Sequence, residues 1–250
     1  MTITRFGIDI GGSSIKGSRV NLETGELVGE WSAIETPNPA TPDTVASAVA
    51  ELVQQQKWDG PVGITLPMVI RNKVARSAAN VDPTWIGTNV SELFQRHLGE
   101  REISVLNDAD AAGLAETTFG DSAATKGPVI FLTFGTGIGS AFLIDGHLFP
   151  NTELGHVRVG EKKAEHQAAS SVKDREELSF PDWAKRVSNV LSEYDDLFSP
   201  SLFIVGGGIS ADHEQWIPLL TIDTPVIPAK LRNHAGIVGA AMAVSTHLTP

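Results

Sequence analysis

Three glycine-rich bends carry the first chemical signal: DIGGSS at Asp9 to Ser14, TFGTGIG at Thr133 to Gly139, and GGG at Gly206 to Gly208. Each follows an apolar run. Glycine lets the backbone approach a ligand closely and adopt positive φ. The N–H groups exposed at such a bend can cradle phosphate oxygens. The alternative is a tight strand connection with no ligand. Three such bends in one chain, the first led by a strand-end acid, favour the cradle. Gly11, Gly12, Ser13, Ser14 and Lys16 are its candidates in the first bend, with Thr133, Gly135, Thr136 and Gly137 in the second and Gly207 and Gly208 in the third. Asp9 beside Gly11 and Ser13 suits a water-mediated contact to Mg²⁺ under a phosphate. Neither familiar glycine loop is present. There is no GxxxxGK[ST], and no GxGxxG between a strand and a helix with an acid about 20 residues further on.

Acids near hydroxyl-binding partners form the second signal. In NDAD, Asn107 to Asp110, carboxylates stand at the join between a strand and a helix. A carboxylate there can act as a general base on a hydroxyl. It can equally cap the helix. Position alone favours Asp108 slightly as the base and leaves the other acid as a cap. In ELGH, Glu153 and His156 lie within one turn. They suit the hydroxyls of a polar ligand, an ordinary surface turn, or a metal site that lacks further ligands at zinc spacing.

The elements needed to hold these groups are readable. Residues 3–10, 15–22 and 26–34 alternate as a three-strand meander with ETGE at one turn. From Asp43 a helix presents Val45, Val49, Leu52 and Val53 as an apolar stripe. PVGITLP at 61–67 is a buried strand, 69–76 a small hairpin across Asn72 and Lys73, and 88–98 a helix. ISVLND at 103–108 is a strand, and a small-residue helix runs from about Ala109 to Phe119. Residues 127–146 form two apolar strands joined through glycines, which resembles the start of the chain and points to a duplicated unit. The helix at 180–198 turns Trp183, Val187, Val190, Leu191, Tyr194 and Leu197 to one face. A strand at 201–210 and a closing helix at 236–248 follow. Residues 160–179 are charged and poor in apolar groups, as in a loop or exposed helix. Strands alternating with helices make the chain α/β.

Bulk composition narrows the function classes. The 250 residues are 41% hydrophobic, enough for one large domain or two compact lobes. The net charge of −11 disfavours nucleic acid and anionic membranes as partners. A polyanionic ligand then needs a local basic patch. Lys16 with Arg19, the trio Arg71, Lys73 and Arg76, and the pair Lys162 and Lys163 are the candidates, each also readable as a solvated face. No cysteine is present, which excludes disulfides and thiolate metal sites and fits a reducing cytoplasm. No 18-residue apolar run and no signal peptide are recognisable.

Taken in order, DIGGSSIKG, LNDADAAGLAE, FGTGIGSA, ELGH and VGGGIS resemble the ROK family of sugar kinases, and the resemblance covers nearly the whole chain. It implies the duplicated actin/hexokinase-like (ribonuclease H-like) fold, with two lobes around a central cleft. Residues 1–108 and the returning C-terminal helix 236–248 would form one lobe, and 109–235 the other. The family pattern puts the catalytic base on Asp108 and sugar-binding roles on Asn80, Asn107, Glu153 and His156. The donor phosphate would lie on the three bends, with Mg²⁺ as cofactor. Two departures stand out. The family's cysteine-rich zinc motif after ELGH is replaced by RVGEKKAEHQAAS, so no zinc site is expected, and Glu165 stands where the last sugar-binding Glu would follow. Pro67-Met68 replaces Pro-Gly, with a bulkier side chain that could reshape the sugar pocket. GEKKAE, DREELSFPDWAKRV and TPVIPAKLRNHAGIVGAA bring the chain close to the zinc-less group that phosphorylates glucose from inorganic polyphosphate. This implies glucose as acceptor, polyphosphate and/or ATP as donor, and a homodimer, with helix 180–198 or its neighbours as one seam. The alternatives are an ATP-dependent hexokinase of the family, or a sugar-sensing relative without catalysis. The DNA-binding relatives carry a helix-turn-helix before the first bend, where this chain has only five residues before Phe6.

Overall fold

The computed structural model describes residues 3–78 and 81–245. In chain order the elements are β1 (Thr4–Ile10), β2 (Ser14–Asn21), β3 (Leu27–Glu35), α1 (Pro42–Gln55), β4 (Val62–Leu66), β5 (Ile70–Arg71), β6 (Val74–Ala75), α2 (Val90–Leu98), β7 (Ile103–Asn107) and α3 (Asp108–Phe119). They continue with β8 (Pro128–Phe134), β9 (Ile138–Ile144), β10 (His147–Phe149), β11 (Arg158–Val159), β12 (Lys162–Lys163), α4 (Glu165–Ala168), α5 (Ser170–Arg175), α6 (Phe180–Phe198), β13 (Leu202–Gly206), β14 (Val226–Pro228) and α7 (Ala235–Ser245). No helix among the described residues is long and apolar enough to cross a membrane.

The chain divides into two compact units, residues 1–115 with 234–250, and residues 116–233. In the first, the sheet order is β3-β2-β1-β4-β7. The meander is antiparallel, and β4 and β7 are added parallel to β1. All five residues of β4 are buried, as a parallel strand covered on both faces requires. One cover is α7, whose small residues let it sit very close. A Cβ on Gly7 would stand 1.9 Å from the Ile237 carbonyl oxygen, and one on Gly63 1.7 Å from that of Ala240. Glycine is the residue these two strand positions can accept. The other face buries Phe6, Ile8, Val49, Leu52, Trp85 and Phe94, among others. Met68 belongs to this core at 2% exposure, so its bulk lies in the interior of the first unit.

The second unit repeats the order as β10-β9-β8-β13-β14, again an antiparallel meander followed by two parallel strands. Its core holds Phe134, Trp183 and Trp216 in edge contacts, with centroids 4.9–6.0 Å apart. Such pairs are worth about 0.5–1.5 kcal/mol each beyond area burial. On α6, Trp183, Val187, Val190, Leu191 and Tyr194 are buried, but Leu197 is 55% exposed. The helix ends one residue later, at Phe198, and Ser199 turns left-handed (φ 45°). Residues 160–179 are more ordered than their charge suggests. They form β12, α4 and α5, and Ala164, Ala168, Ala169 and Val172 are buried. Alanines in elements this short leave no periodic apolar stripe to read.

Candidate active site

In the first unit, β1 delivers Asp9 to the first bend. Thr65 on β4 donates its hydroxyl to Asp9 Oδ1 at 2.8 Å and accepts the Ile10 N–H at 3.3 Å. Lys16 lies directly across the ladder from Asp9. From the other side the N-terminus of α7 crowds in, where a Cβ on Gly236 would come 2.8 Å from Asp9 Cγ. Burial pushes the Asp9 carboxyl above its ordinary value, opposed by the Thr65 hydrogen bond and the Lys16 charge. The bend is a fixed object. Gly11 N–H donates to the Ser14 carbonyl, Thr36 N–H to the Ser13 carbonyl, and the Thr36 hydroxyl to the Gly11 carbonyl at 2.6 Å. Gly12 and Ser13 are exposed at its tip.

At the end of β7, the helix cap is neither aspartate. Asn107 Oδ1 accepts the N–H groups of Ala109 (2.9 Å) and Asp110 (3.1 Å), and its Nδ2 donates to the Met68 carbonyl at 3.3 Å. Asn107, 7% exposed, thus starts α3 and ties it to the end of β4. Asp108 is half-buried, and its Oδ1 also accepts the Ala109 N–H, at 2.8 Å. Asp110 is fully buried. Asn80 lies outside the described residues.

In the second unit, the bend at Gly135 to Gly137 closes with Gly135 N–H on the Gly137 carbonyl (3.0 Å). It is clamped from α5. Ser170 Oγ donates to the Phe134 and Gly135 carbonyls, Ser171 Oγ to the Thr136 carbonyl at 2.7 Å, and Ser171 N–H to the Gly135 carbonyl. Sequence reading missed both serines, which stand more than thirty residues away with no motif around them. The third bend packs on the second. Gly207 has φ +84°, and a Cβ there would lie 2.3 Å from the Phe134 carbonyl oxygen. Packing alone therefore requires glycine at 207. A Cβ on Gly208 would meet nothing.

Glu153, His156 and Glu165 converge in the same unit. The turn that carries the first two is anchored below: Tyr194 donates to the Leu154 carbonyl at 2.6 Å, and Leu154 N–H donates to Ser140 Oγ at 2.9 Å. Gly155 has to be glycine, since a Cβ would stand 2.2 Å from the Ile138 carbonyl. His156 then bridges two acids, with Nδ1 3.7 Å from Glu153 and Nε2 3.4 Å from Glu165. Burial raises the Glu153 pKa and Glu165 adds to the rise, while His156 and Lys163 oppose it. Glu165 also reaches the second bend, where a Cβ on Gly137 would be 2.8 Å from its Oε2. Side chains able to accept hydroxyls and the candidate phosphate bend are thus contiguous here. No group of three or more metal-ligating side chains suited to a metal occurs among the described residues.

The cations divide. Arg19 is spent on the Gln56 carbonyl (2.8 Å) and the Trp58 ring, so it serves packing and not a donor groove. Arg71, Lys73 and Arg76 are exposed around the β5–β6 turn. Lys163 pairs with Glu165 at 3.8 Å. A further acid escaped the sequence reading. Glu116, 1% exposed, accepts the N–H groups of Lys230 (2.9 Å) and Leu231 (2.7 Å) and so fixes the segment after β14.

Residues 5–171 match the ROK family. The chain is 54% identical to a polyphosphate glucokinase of Mycobacterium tuberculosis (strain CDC 1551 / Oshkosh) over 238 residues, which is 95% of this chain and 90% of that one. It is 52% identical to a polyphosphate glucokinase of Mycobacterium leprae over 98% of this chain and 75% of that one. Among solved structures, the inorganic polyphosphate/ATP-glucomannokinase of Arthrobacter sp. strain KM superposes with a TM-score of 0.92 at 46% identity, covering 98% of this chain and 99% of that one. The actin/hexokinase-like fold expected from the sequence is the fold of these neighbours.

Proposed function

The chain belongs to the ROK family, and from that premise we propose that it is a polyphosphate-dependent glucokinase, transferring a phosphoryl group to the 6-hydroxyl of glucose. The observation that carries this reading is the identity of more than half of all positions to polyphosphate glucokinases across almost the full chain. ATP as a second donor and mannose as a second acceptor belong to the same reading, supported by the likeness to a protein described as a polyphosphate/ATP-glucomannokinase. A cytoplasmic homodimer completes it.

The division of labour follows the residues. Asp108 takes the proton of the 6-hydroxyl as O6 attacks the terminal phosphorus. The bond from that phosphorus to the bridging oxygen breaks, and a polymer one unit shorter departs with the electron pair. Its half-burial and its backbone fixation through Asn107 suit a base held to one geometry. Asn80, Glu153, His156 and Glu165 bind sugar hydroxyls, and Asn107 supports the acceptor side by orienting its neighbour. Backbone N–H groups at Gly11 to Ser14, Gly135 to Gly137 and Gly207 to Gly208 hold phosphate oxygens, aided by Lys16, Thr133 and Thr136. Mg²⁺ fits Asp9: a hard carboxylate, crowded by protein and carrying a raised pKa, gains from a cation nearby. There it would neutralise donor charge, held by donor oxygens and by Asp9 through water.

The test is formation of glucose 6-phosphate by purified protein with polyphosphate in strict absence of nucleotide, beside a parallel assay with ATP. Product with polyphosphate supports the reading. Product with ATP alone makes the chain an ATP-dependent hexokinase, and product with neither removes the kinase assignment.

A further inference from the structure

Around Glu165 stand a lysine, two histidines and a second acid, and the kinase reading uses only part of the set. Glu165 Oε1 is 3.4 Å from His156 Nε2, 3.7 Å from His166 Nε2 and 3.8 Å from Lys163 Nζ. Glu153 lies beyond His156, and its carboxyl feels Glu165 as a repulsive charge and Lys163 as an attractive one. Tyr194 underlies the cluster and is kept neutral by burial. Two carboxylates that both accept sugar hydroxyls must both be ionised and must not swing apart. Their mutual repulsion works against each condition.

Lys163 is built in to counter that repulsion. It sits on the β11–β12 ribbon, paired across from Arg158. The ribbon is fastened at both ends: Ala164 N–H donates to the Val157 carbonyl (2.9 Å), and Gln167 Nε2 donates to the carbonyls of Val159 (2.8 Å) and Lys162 (3.1 Å). Ala164, fully buried, is the single residue between Lys163 and Glu165. The backbone therefore fixes the two stems relative to each other, and the ammonium reaches the carboxylate from there. Lys163 is 40% and Glu165 18% exposed in their side chains, so the pair is partly shielded from water. An ammonium also keeps its charge through the pH range in which imidazole loses its own.

We propose that Lys163 is a positioning residue for the acceptor sugar, holding Glu165 against the Gly137 bend and balancing the joint charge of Glu153 and Glu165. This inference rests on the glucokinase reading of the same cluster. It reverses the place that the sequence pattern gave Lys163 among the polyanion-binding cations.

The test compares Lys163→Met and Lys163→Arg with the parent protein, using glucose binding by calorimetry and steady-state kinetics from pH 5.5 to 8.5. Lys163→Met raises the glucose Kd and KM about tenfold. It moves the acid limb of kcat/KM for glucose to higher pH and leaves the polyphosphate KM at saturating glucose unchanged, while Lys163→Arg restores most of the affinity. Normal glucose affinity and an unmoved pH limb in Lys163→Met overturn the inference. So does a rise in polyphosphate KM alone, which returns Lys163 to the donor side. Unfolding midpoints of both variants identify a collapse of the ribbon: loss of affinity only in variants that have lost their fold counts against a positioning role. A parent protein that neither binds nor phosphorylates glucose sinks the kinase reading and this inference with it. An active parent with an indifferent Lys163→Met sinks this inference alone.

Discussion

The two sheets share one strand order, but the residues at matching strand ends differ in charge. In the first unit β1 carries Asp9 one residue before its end, and β7 runs into Asp108. In the second, β8 has Thr133 at the matching place, and β14 runs into Ala229 and Lys230. The ladder partners differ in the same sense: Asp9 faces Lys16, whereas Thr133 faces Gly139. Acids stand at strand ends in one copy, and a hydroxyl, glycines and a cation in the other. A carboxylate near a phosphate chain is repulsive unless a cation mediates or the acid takes a proton in the reaction. Under the proposed reaction, the first unit holds both positions where a carboxylate has a chemical task. In the second unit Glu153 and Glu165 stand on the ELGH side, where the same reading gives them sugar hydroxyls as partners.

Replacing Asp108 by Asn is the most severe way to break this contrast. The amide keeps the size and can still accept the Ala109 N–H, so the fold and the start of α3 persist. Turnover falls by about 10³-fold, within the range for loss of a general base, while glucose binding by calorimetry stays near the parent value. A purified variant with near-normal kcat would remove Asp108 from proton transfer.

Asp9→Asn comes next and pulls activity and stability in opposite directions. Turnover falls by about 10²-fold if the carboxylate supports a cation at the donor. Stability rises at neutral pH. A buried acid whose folded pKa is raised holds its proton in the folded state at pH values where the unfolded chain has released it. As pH climbs from the ordinary carboxylate range through the raised value, the folded state loses ground, and above it the cost is fully present. Asn removes that cost and still accepts the Thr65 hydroxyl. The unfolding midpoint at pH 7 therefore rises, by roughly 2–4 °C per kcal/mol recovered. The gain shrinks as pH is lowered toward 4. An Asp9→Asn variant less stable than the parent at pH 7 would mean that the carboxylate is favourably held and that burial is not its leading influence.

These two acids also mark where the sequence was readable. Asp9 and Asp108 each end an apolar run, and the strand pattern put both at strand termini. The bends were equally plain, since DIGGSS and TFGTGIG interrupt apolar runs with residues few other structures need. What holds them was not readable. Thr36, Thr65, Ser170 and Ser171 act across sheet or helix contacts, from positions where Thr and Ser are unremarkable in a local window. The NDAD cap went to Asn107, although the acids drew attention, because an amide oxygen one residue earlier meets two helix N–H groups. Lys163 looked like one of a lysine pair. Only the ribbon shows that Lys163 turns to Glu165 while Lys162 is left in solvent.

The third bend separates packing from ligand contact within the second unit. At the matching place in the first unit β4 ends at Leu66 and runs into Pro67 and Met68, with no glycine at that bend. Gly207→Ala places a side chain at φ +84° and within 2.3 Å of the Phe134 carbonyl, so it destabilises by about 2 kcal/mol or more. Gly208→Ala meets no neighbour and leaves the unfolding midpoint within about 2 °C, since unclashing surface changes stay near 0.5 kcal/mol or less. A raised polyphosphate KM in Gly208→Ala would make this bend part of the cradle. An unchanged one would restrict it to joining β13 to the next turn.

The smallest effect concerns how the two cradles are held. Thr36 pins the first bend from just past the edge strand β3, whereas two serines at the start of α5 pin the second. Ser171→Ala removes the 2.7 Å bond to the Thr136 carbonyl and keeps the N–H bond of residue 171 to Gly135. Thr136 lies at the surface, so its carbonyl turns to water, and the loss is about 1 kcal/mol of stability at most. Because the backbone bond persists, the bend loosens without opening, and kcat falls no more than about threefold with the polyphosphate KM rising by a similar factor. A loss comparable to that of Asp9→Asn would mean that Ser171 touches the donor itself, and the second unit would then use side chains, not only its backbone, to hold the phosphate.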